Sequence, residues 1–513
     1  MQSLKEFTIY TKKTLSAQDA YSILDNGNSM GFNEQLMVEN AGFEIANDLR
    51  HKHKGDRILF TVGTGGKGAI GLSAARRMLK YADVEVAIVG DHNSIMNKVT
   101  RFNYRILSDI VDIHNISMDN INEFSKLLKW SEDIVDSIAG MGIRGRMSST
   151  LYHVIERMND SRKYTISIDM PSGLNVDTGI ANRISVNADS VLAIHKTKKG
   201  LLKSNFRGST AIIDIGIPAT LELFAGPGDV RSITRPKSMD SDKYTNGSVL
   251  IIGGSREFHG APVLTAFAAN ATMAALRSNS GYVNTMVPGD IASDVSKMSP
   301  SMVVRSLPSE AIDIEAAKAI EMVRHNVLAI GPGLSQKAMT NKGVASLLSM
   351  ERRKGNIVVI DASAIKSIAP YKSYIGQNSI ITPHTGEFNA LTGIDLTKAS
   401  MDRKLHSAIE FADAYGCTLV LKGNETIITD GKNLKINKSS TPILATMGTG
   451  DVLTGMIASY AGMSTMPFES AVAAVYMHSK IGDMLFEKKG LHITAQDVID
   501  MIPEQLKGFD SIM

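Results

Sequence analysis

Arg57-Ile58-Leu59-Phe60-Thr61-Val62-Gly63-Thr64-Gly65-Gly66-Lys67-Gly68 is an apolar run that breaks into glycines, with the helical pattern Ala69–Lys80 behind it. A β-branched strand, a tight glycine turn and an amphipathic helix are the opening of a βαβ unit. The turn fits G-x-G-x-x-G, and Asp91 ends the next strand candidate. Backbone N–H groups freed at the start of such a helix can cradle a phosphate, so a dinucleotide site is one reading. A tight turn with no ligand is the other. A P-loop fits less well, because Gly66-Lys67 runs into Gly68 instead of Ser or Thr.

The same rhythm extends along the chain. Further strands are expected at Val84–Val89, Asp133–Ser137, Tyr164–Asp169 and Ala211–Ile215, then at Ser248–Ile252, Val327–Ile330, Ile357–Asp361, Ser379–Thr382 and Leu419–Lys422. Leu72–Lys80 and Leu405–Tyr415 read as crossover helices; Leu405, Ala408, Ile409 and Ala412 fall on one helical face. Gly226, Pro227, Gly228 and Pro236 interrupt this periodicity, and a fresh strand-plus-glycine unit begins at Ser248. Two α/β domains are therefore expected, 1–225 and 235–513, as suits a chain of 513 residues.

Composition narrows the classes. With 43% hydrophobic and 21% charged residues the chain is globular, and a net charge of +3 over this length argues against a nucleic-acid partner. The first residues carry no apolar signal segment, and no apolar run reaches the ~20 residues of a membrane span. A cytoplasmic protein with no membrane partner is the expectation, and a symmetric homo-oligomer is the expected assembly. The single cysteine, Cys417, sits in an apolar strand and reads as a buried, inert thiol.

In the second half Gly448-Thr449-Gly450-Asp451 precedes the helical Val452–Tyr460. Its N–H groups would stand at the positive end of a helix dipole, where charge on a transferring phosphoryl group is stabilised. Asp451, at the head of that helix, is placed to take the proton of an attacking hydroxyl. By itself the motif is equally well an ordinary helix start with an N-terminal acid.

Its neighbours sharpen the reading. They are Lys243-Tyr244-Thr245-Asn246-Gly247, Gly253-Gly254-Ser255, Gly260-Ala261-Pro262, Gly331-Pro332-Gly333-Leu334, Asp361-Ala362, Thr382-Pro383-His384-Thr385-Gly386-Glu387 and Lys422-Gly423-Asn424-Glu425-Thr426. Together with Gly448–Asp451 they resemble the ribokinase-like, ADP-dependent NAD(P)H-hydrate dehydratases. In the first half the set comprises Leu36–Gly42, Asp136-Ser137-Ile138-Ala139-Gly140-Met141-Gly142-Ile143-Arg144-Gly145, Asp169-Met170-Pro171-Ser172-Gly173, Lys198-Lys199-Gly200-Leu201 and Asp214–Pro218. These resemble the YjeF N-terminal family, the NAD(P)H-hydrate epimerases.

The resemblance implies a Rossmann-like parallel-sheet domain followed by a larger ribokinase-like α/β domain. It implies substrates, NADH and NADPH hydrates, whose nicotinamide ring carries a hydroxyl at C6. In the first half Gly66, Lys67, Gly68 and the segment Gly140, Met141, Gly142, Ile143, Arg144, Gly145 and Arg146 would bind the hydrate, with Asp169 as acid/base. Asp136 and Ser172 match the family's potassium ligands. In the second half Ala261, Gly333, His384 and Asp451 would meet the hydrate. Lys422, Gly423, Asn424, Glu425 and Thr426, with Thr446, Met447, Gly448, Thr449 and Gly450, would meet ADP, or ATP in its place. Glu387 would help position Mg2+.

Two departures stand out. The family's G-x-G-N-N-G-G-D-G turn is Gly63-Thr64-Gly65-Gly66-Lys67-Gly68-Ala69-Ile70-Gly71 here, with both asparagines and the aspartate gone. Lys67 falls on a residue that helps hold potassium, and its ammonium is expected to replace the ion beside Asp136. Asp361-Ala362-Ser363-Ala364 also alters the usual Asp-Ala-Asp-Ala or Asp-Ala-Asp-Gly. Two rival functions share parts of this pattern: a vitamin-precursor kinase with a non-catalytic N-terminal binding domain, and an NAD-dependent oxidoreductase using the turn at Gly63. Neither half offers a recognisable hydride-transfer site for the second.

Overall fold

The computed structural model describes residues 2–141, 145–234, 236–255, 261–309, 311–439 and 441–510; side chains of 2–3, 261–266 and 269 are outside that description. The chain divides into two compact units, Lys12–Pro218 and Ala219–Met513 joined by Met1–Thr11.

The unit Lys12–Pro218 holds seven strands: β1 (Arg57–Val62), β2 (Asp83–Val89), β3 (Ile113–Ile116), β4 (Asp133–Ser137), β5 (Tyr164–Ile168), β6 (Ser190–Ile194) and β7 (Ser209–Ile213). They pair in the order β3-β2-β1-β4-β5-β6-β7, every pair parallel. Strands buried on both faces need near-continuous apolar runs, and Ile58–Val62 and Ile134–Val135 supply them. The order reverses between β1 and β4, which opens a crevice at the carboxyl ends of those two strands.

The larger unit holds β8 (Ser248–Ile252), β9 (Tyr282–Pro288), β10 (Val303–Leu307), β11 (Val327–Ile330), β12 (Ile357–Ile360), β13 (Ser379–Ile381), β14 (Thr418–Leu421), β15 (Glu425–Thr429) and β16 (Leu434–Lys438). Their order is β10-β9-β8-β11-β12-β13-β14-β15-β16, parallel up to β14 and antiparallel from β14 to β16. Here the reversal lies between β8 and β11. Apolar layers cover both faces of this sheet, and the helix Thr449–Ser464 is buried along almost its whole length.

The structural division differs from the expected boundaries 1–225 and 235–513 at both ends. Leu4 and Phe7, on the 3-10 helix Gln2–Tyr10, enter the core of the larger unit with Leu223, and Phe7 meets the His406 ring edge-on at 5.0 Å. Ala219–Ala225 runs along β16, where Ala225 N donates to Ile436 O (3.0 Å). Apolar side chains at an otherwise weakly patterned terminus found their partners far away in sequence. The Gly226–Gly228 break is a helix start instead of a seam: Gly226 caps Pro227–Ile233.

Other elements differ in register. The helix after the first glycine turn begins at Gly66, so Lys67 belongs to its first turn. The strand expected at Ala211–Ile215 lies two residues earlier, at β7. Cys417 is buried, and burial pushes its thiol up to about 12, an inert sulfur as expected. Among the described residues no helix is long and apolar enough to cross a membrane.

Candidate functional site

In the smaller unit the glycine turn leaves β1 at the reversal of strand order. Gly65 caps the helix Gly66–Met78. Gly68 is required by packing: a Cβ there would collide with the Gly63 carbonyl oxygen. Lys67, next to it, turns its side chain inward instead of toward solvent. Its Nζ donates to Met170 O (2.7 Å), Ser172 Oγ (3.1 Å), Ala139 O (3.2 Å) and Asp136 Oδ2 (3.4 Å). Gly140 lies against the Lys67 stem, where a Cβ would come within 3.4 Å of Lys67 Cδ.

Asp136 is fully buried at the end of β4. Besides Lys67 it accepts from Ser172 N (2.8 Å), Ser167 Oγ (2.8 Å) and Ile138 N (3.2 Å). Those donors satisfy a carboxylate in a place where an unpaired charge would be costly. Burial lowers the Lys67 ammonium from its ordinary value, and Asp136 and Asp169 oppose that shift.

Asp169 follows β5 in a left-handed conformation, φ +64°, uncommon for a residue with a Cβ. Asp169 N donates to Leu192 O (2.7 Å), and Oδ1 accepts from Ile194 N (3.1 Å), so β6 holds both ends of the residue. Lys198 Nζ forms a close ion pair with the same Oδ1 and also donates to Ile194 O (2.7 Å) and Lys196 O (3.1 Å). Lys198 belongs to the Lys198-Lys199-Gly200-Leu201 motif, which by itself assigns it no role. Its cue was two lysines ahead of a glycine just after a strand, but nothing local links residues 169 and 198.

Of the other residues expected to bind hydrate in this unit, Met141 is half-buried, Gly145 adopts φ +76° and accepts from Asn182 Nδ2 (2.9 Å), and Arg146 is exposed. Gly142, Ile143 and Arg144 lie outside the described residues.

In the larger unit, Gly448 caps the helix Thr449–Ser464 with φ +89°; a Cβ there would press on Asn270 Nδ2 at 2.8 Å. Thr449 Oγ1 anchors the loop through Leu444 O (2.6 Å) and Thr446 O (2.7 Å), while Met447 stays exposed. Asp451, in the first helical turn, is buried beside Asp361. Burial first, and then the charge of Asp361, push its carboxyl up to about 8, against a smaller pull from Lys422.

Asp361 ends β12 and is the hub of this site. It accepts from Lys422 Nζ (2.9 Å), Thr382 Oγ1 (2.7 Å) and Thr454 Oγ1 (2.6 Å). Lys422 and these hydroxyls hold Asp361 low despite burial, and Asp361 with Glu387 holds Lys422 high. The sequence alone assigns no role to Asp361, Thr382 or Thr454. The signal was the Asp at a strand end, whose partners lie 21, 61 and 93 residues away.

Lys422 N donates to Pro383 O (2.7 Å), which sets His384 next to Lys422. His384 caps the helix Thr385–Thr392: its Nδ1 accepts from Gly386 N (3.0 Å) and Glu387 N (3.2 Å). Two backbone donors on Nδ1 leave the proton of the neutral ring on Nε2, a donor on a half-exposed ring. Glu387 Oε2 closes the capping box on His384 N (2.9 Å) and lies 3.9 Å from Lys422 Nζ.

Gly423 and Asn424 lie in the turn from β14 into β15, and Glu425 and Thr426 open β15, with Thr426 Oγ1 donating to Gly423 O (3.0 Å). Thr446 Oγ1 donates to Ile443 O (3.0 Å) behind the phosphoryl loop. Gly333 follows β11 with φ +69°, and Ala261 opens the helix Ala261–Arg277 with its side chain outside the described residues. Below the loop, His478 is a buried imidazole lowered to about 4 by burial, against a hydrogen bond that the ring makes to the Thr449 backbone and that favours its protonated form; its Nε2 has no partner among the described residues.

Buried acid, lysine and glycine-capped helix at the carboxyl edge of one sheet, with an acid–lysine pair at the edge of another, define a two-domain α/β enzyme with one candidate site in each unit. Comparison with known proteins specifies the class. The family model for NAD(P)H-hydrate dehydratase matches residues 249–504, and the model for the YjeF-related protein N-terminus matches residues 33–200. The bifunctional NAD(P)H-hydrate repair enzyme Nnr of Pyrobaculum aerophilum is 32% identical over 512 residues, covering 98% of this chain and 100% of the relative. That of Methanothermobacter thermautotrophicus is 30% identical over 488 residues, covering 93% and 92%. The ADP/ATP-dependent NAD(P)H-hydrate dehydratase of Bacillus subtilis, crystallised with ATP and Mg2+, is 25% identical with a TM-score of 0.45, covering 55% of this chain and 96% of that one. The chain belongs to the bifunctional NAD(P)H-hydrate repair enzyme family.

Proposed function

We propose that the chain repairs hydrated nicotinamide nucleotides: the larger unit dehydrates the S form of NADH or NADPH hydrate at the expense of ADP, and the smaller unit interconverts the R and S forms. The observation that carries the reading is Asp451, a buried acid raised to about 8 at the head of a glycine-capped helix. Such a carboxyl holds protons tightly enough to act as a general base near neutrality.

Asp451 takes the proton of the C6 hydroxyl as its oxygen bonds to the terminal phosphorus of ADP and the bond to AMP breaks. The N–H groups of Gly448–Gly450 and the Lys422 ammonium face the charge that spreads over the transferring group. Asp361 positions Lys422 for this. His384 Nε2–H is a donor for the hydrate. The ring nitrogen then expels phosphate from C6, and loss of the C5 proton restores the C5–C6 double bond. The phosphorylated species therefore collapses to NAD(P)H.

Glu387 would hold Mg2+ as a single carboxylate beside the bound nucleotide. Among the described residues no cluster of three or more His, Cys, Asp or Glu forms an all-protein metal cage. The ion's chemistry would be neutralisation of phosphate charge.

In the smaller unit the ring nitrogen expels hydroxide from C6, and the Asp169–Lys198 pair supplies and recovers the proton as water returns to either face. Mixing both epimers with ADP tests the two halves together. The intact protein should consume all the hydrate and restore reduced-nicotinamide absorbance. Asp169→Asn should stop after the S fraction, and Asp451→Asn should interconvert epimers without consuming them. Accumulation of a stable phosphate ester by the intact protein would overturn the dehydratase reading.

A further inference from the structure

The smaller unit contains an oxygen cage that is already filled. Asp136 Oδ2, Ala139 O, Met170 O and Ser172 Oγ converge on one point from two strand-end loops, at 2.7–3.4 Å from Lys67 Nζ. Only Ser172 could offer a proton in return, and its hydroxyl donates to Asp136 Oδ1 and Ala139 O. Four acceptors around one point call for a cation: a neutral amine would turn its lone pair on a carbonyl or the carboxylate. The position is dry, with the Lys67 side chain 7% exposed and Asp136 0%. Potassium, the ion expected from the family resemblance, does not fit, because the lysine nitrogen holds the centre of the cage. Adding the ion would also place a fifth centre of charge, and a third positive one, within a cluster that is balanced by two carboxylates, Asp136 and Asp169, and two lysines, Lys67 and Lys198.

We propose that Lys67 is a covalently tethered substitute for a monovalent cation, so that epimerisation proceeds without potassium, and that removing the tether converts the cage into a genuine monovalent-cation site. The inference rests on the epimerase reading for its catalytic half and on geometry alone for its binding half. Lys67 acts as a positioning residue: it ties the Asp136–Ala139 loop to the Met170–Ser172 loop, which directly follows Asp169. Its advantage is physical. An ion bound from solution must be dehydrated and its site is filled only in proportion to its concentration, whereas the tethered ammonium is present whenever the helix Gly66–Met78 is folded.

The experiment compares the full chain and Lys67→Ala in KCl, NH4Cl, NaCl and choline chloride at one ionic strength, reading thermal unfolding and the rate of epimer interconversion. For the intact protein both readouts should be the same in KCl and choline chloride, within twofold for the rate. Lys67→Ala should unfold at lower temperature in choline chloride and recover saturably with KCl or NH4Cl. Its epimerisation should fall at least tenfold and return with the same ions. A saturable potassium dependence in the intact protein would overturn the proposal, as would a Lys67→Ala protein whose unfolding is indifferent to the cation. Should Lys67→Ala fail to fold in every salt, Lys67→Asn, which keeps a polar group at the cage mouth, carries the same comparison. Absence of epimerisation in the intact protein under all salts would refute the epimerase reading, while the unfolding comparison still judges the cage.

Discussion

Asp451→Asn should make the protein more stable, and by an amount that grows with pH. The carboxyl has an ordinary value of 3.8 and stands near 8 in the folded chain, raised by burial and by Asp361. The sign follows from proton counting: between those values the folded state keeps a proton that the unfolded chain has released, so rising pH favours unfolding. Each pH unit in that window is worth about 1.4 kcal/mol, which makes the penalty on the order of 4 kcal/mol at pH 7. Below pH 4 both states are protonated and the penalty disappears; above pH 8 both are ionised and it is constant. Asparagine has nearly the same shape and no charge to bury. Urea unfolding at pH 4.5, 6, 7 and 8.5, followed by a probe in the larger unit, gives the difference directly as a shift in midpoint. The variant should exceed the parent by only about 1 kcal/mol at pH 4.5 and by most at pH 8.5, while losing dehydration. A stability difference that does not change with pH, or a variant weaker than the parent at pH 8.5, would refute the electrostatic account of this site.

Two other perturbations follow from the same geometry. Lys422→Met leaves the buried Asp361, among the described residues, with two hydroxyl donors and no counter-charge, which should destabilise the larger unit by about 3–5 kcal/mol; adding Asp361→Asn should recover much of that loss in denaturant titrations while activity stays absent. Gly68→Ala drives a Cβ into the Gly63 carbonyl, whereas at Gly66 the nearest atom to a new Cβ is Glu34 Oε1 at 3.5 Å. Gly68→Ala should therefore cost the smaller unit at least about 2 kcal/mol and lose epimerisation at a lower temperature than dehydration, with Gly66→Ala near the parent in the same heat-inactivation assay.

The elements that can be read along the chain are those whose cause is local. Arg57–Val62, Ser248–Ile252 and Val327–Ile330 are predominantly apolar runs closed by glycine, and all three are strands of the expected extent. Gly448-Thr449-Gly450-Asp451 declares a helix start through its own residues, and Asp451 stands where that start puts it. Lys67 is legible as a departure, because a lysine among phosphate-loop glycines is visible in one dimension.

What only the tertiary structure decided is which distant groups meet. Asp361 and Lys422 meet across 61 residues because only β13 separates β12 from β14, Thr454 reaches the same acid from the helix Thr449–Ser464 across 93, and Asp169 and Lys198 meet across 29 because β5 and β6 are neighbours. The N-terminal Leu4 and Phe7 join the larger unit for the same kind of reason. Turn chemistry and hydrophobic period act over a few residues and so appear in the sequence. Burial of a charge is tolerated only where chain topology brings it a partner, and that pairing is a property of the fold.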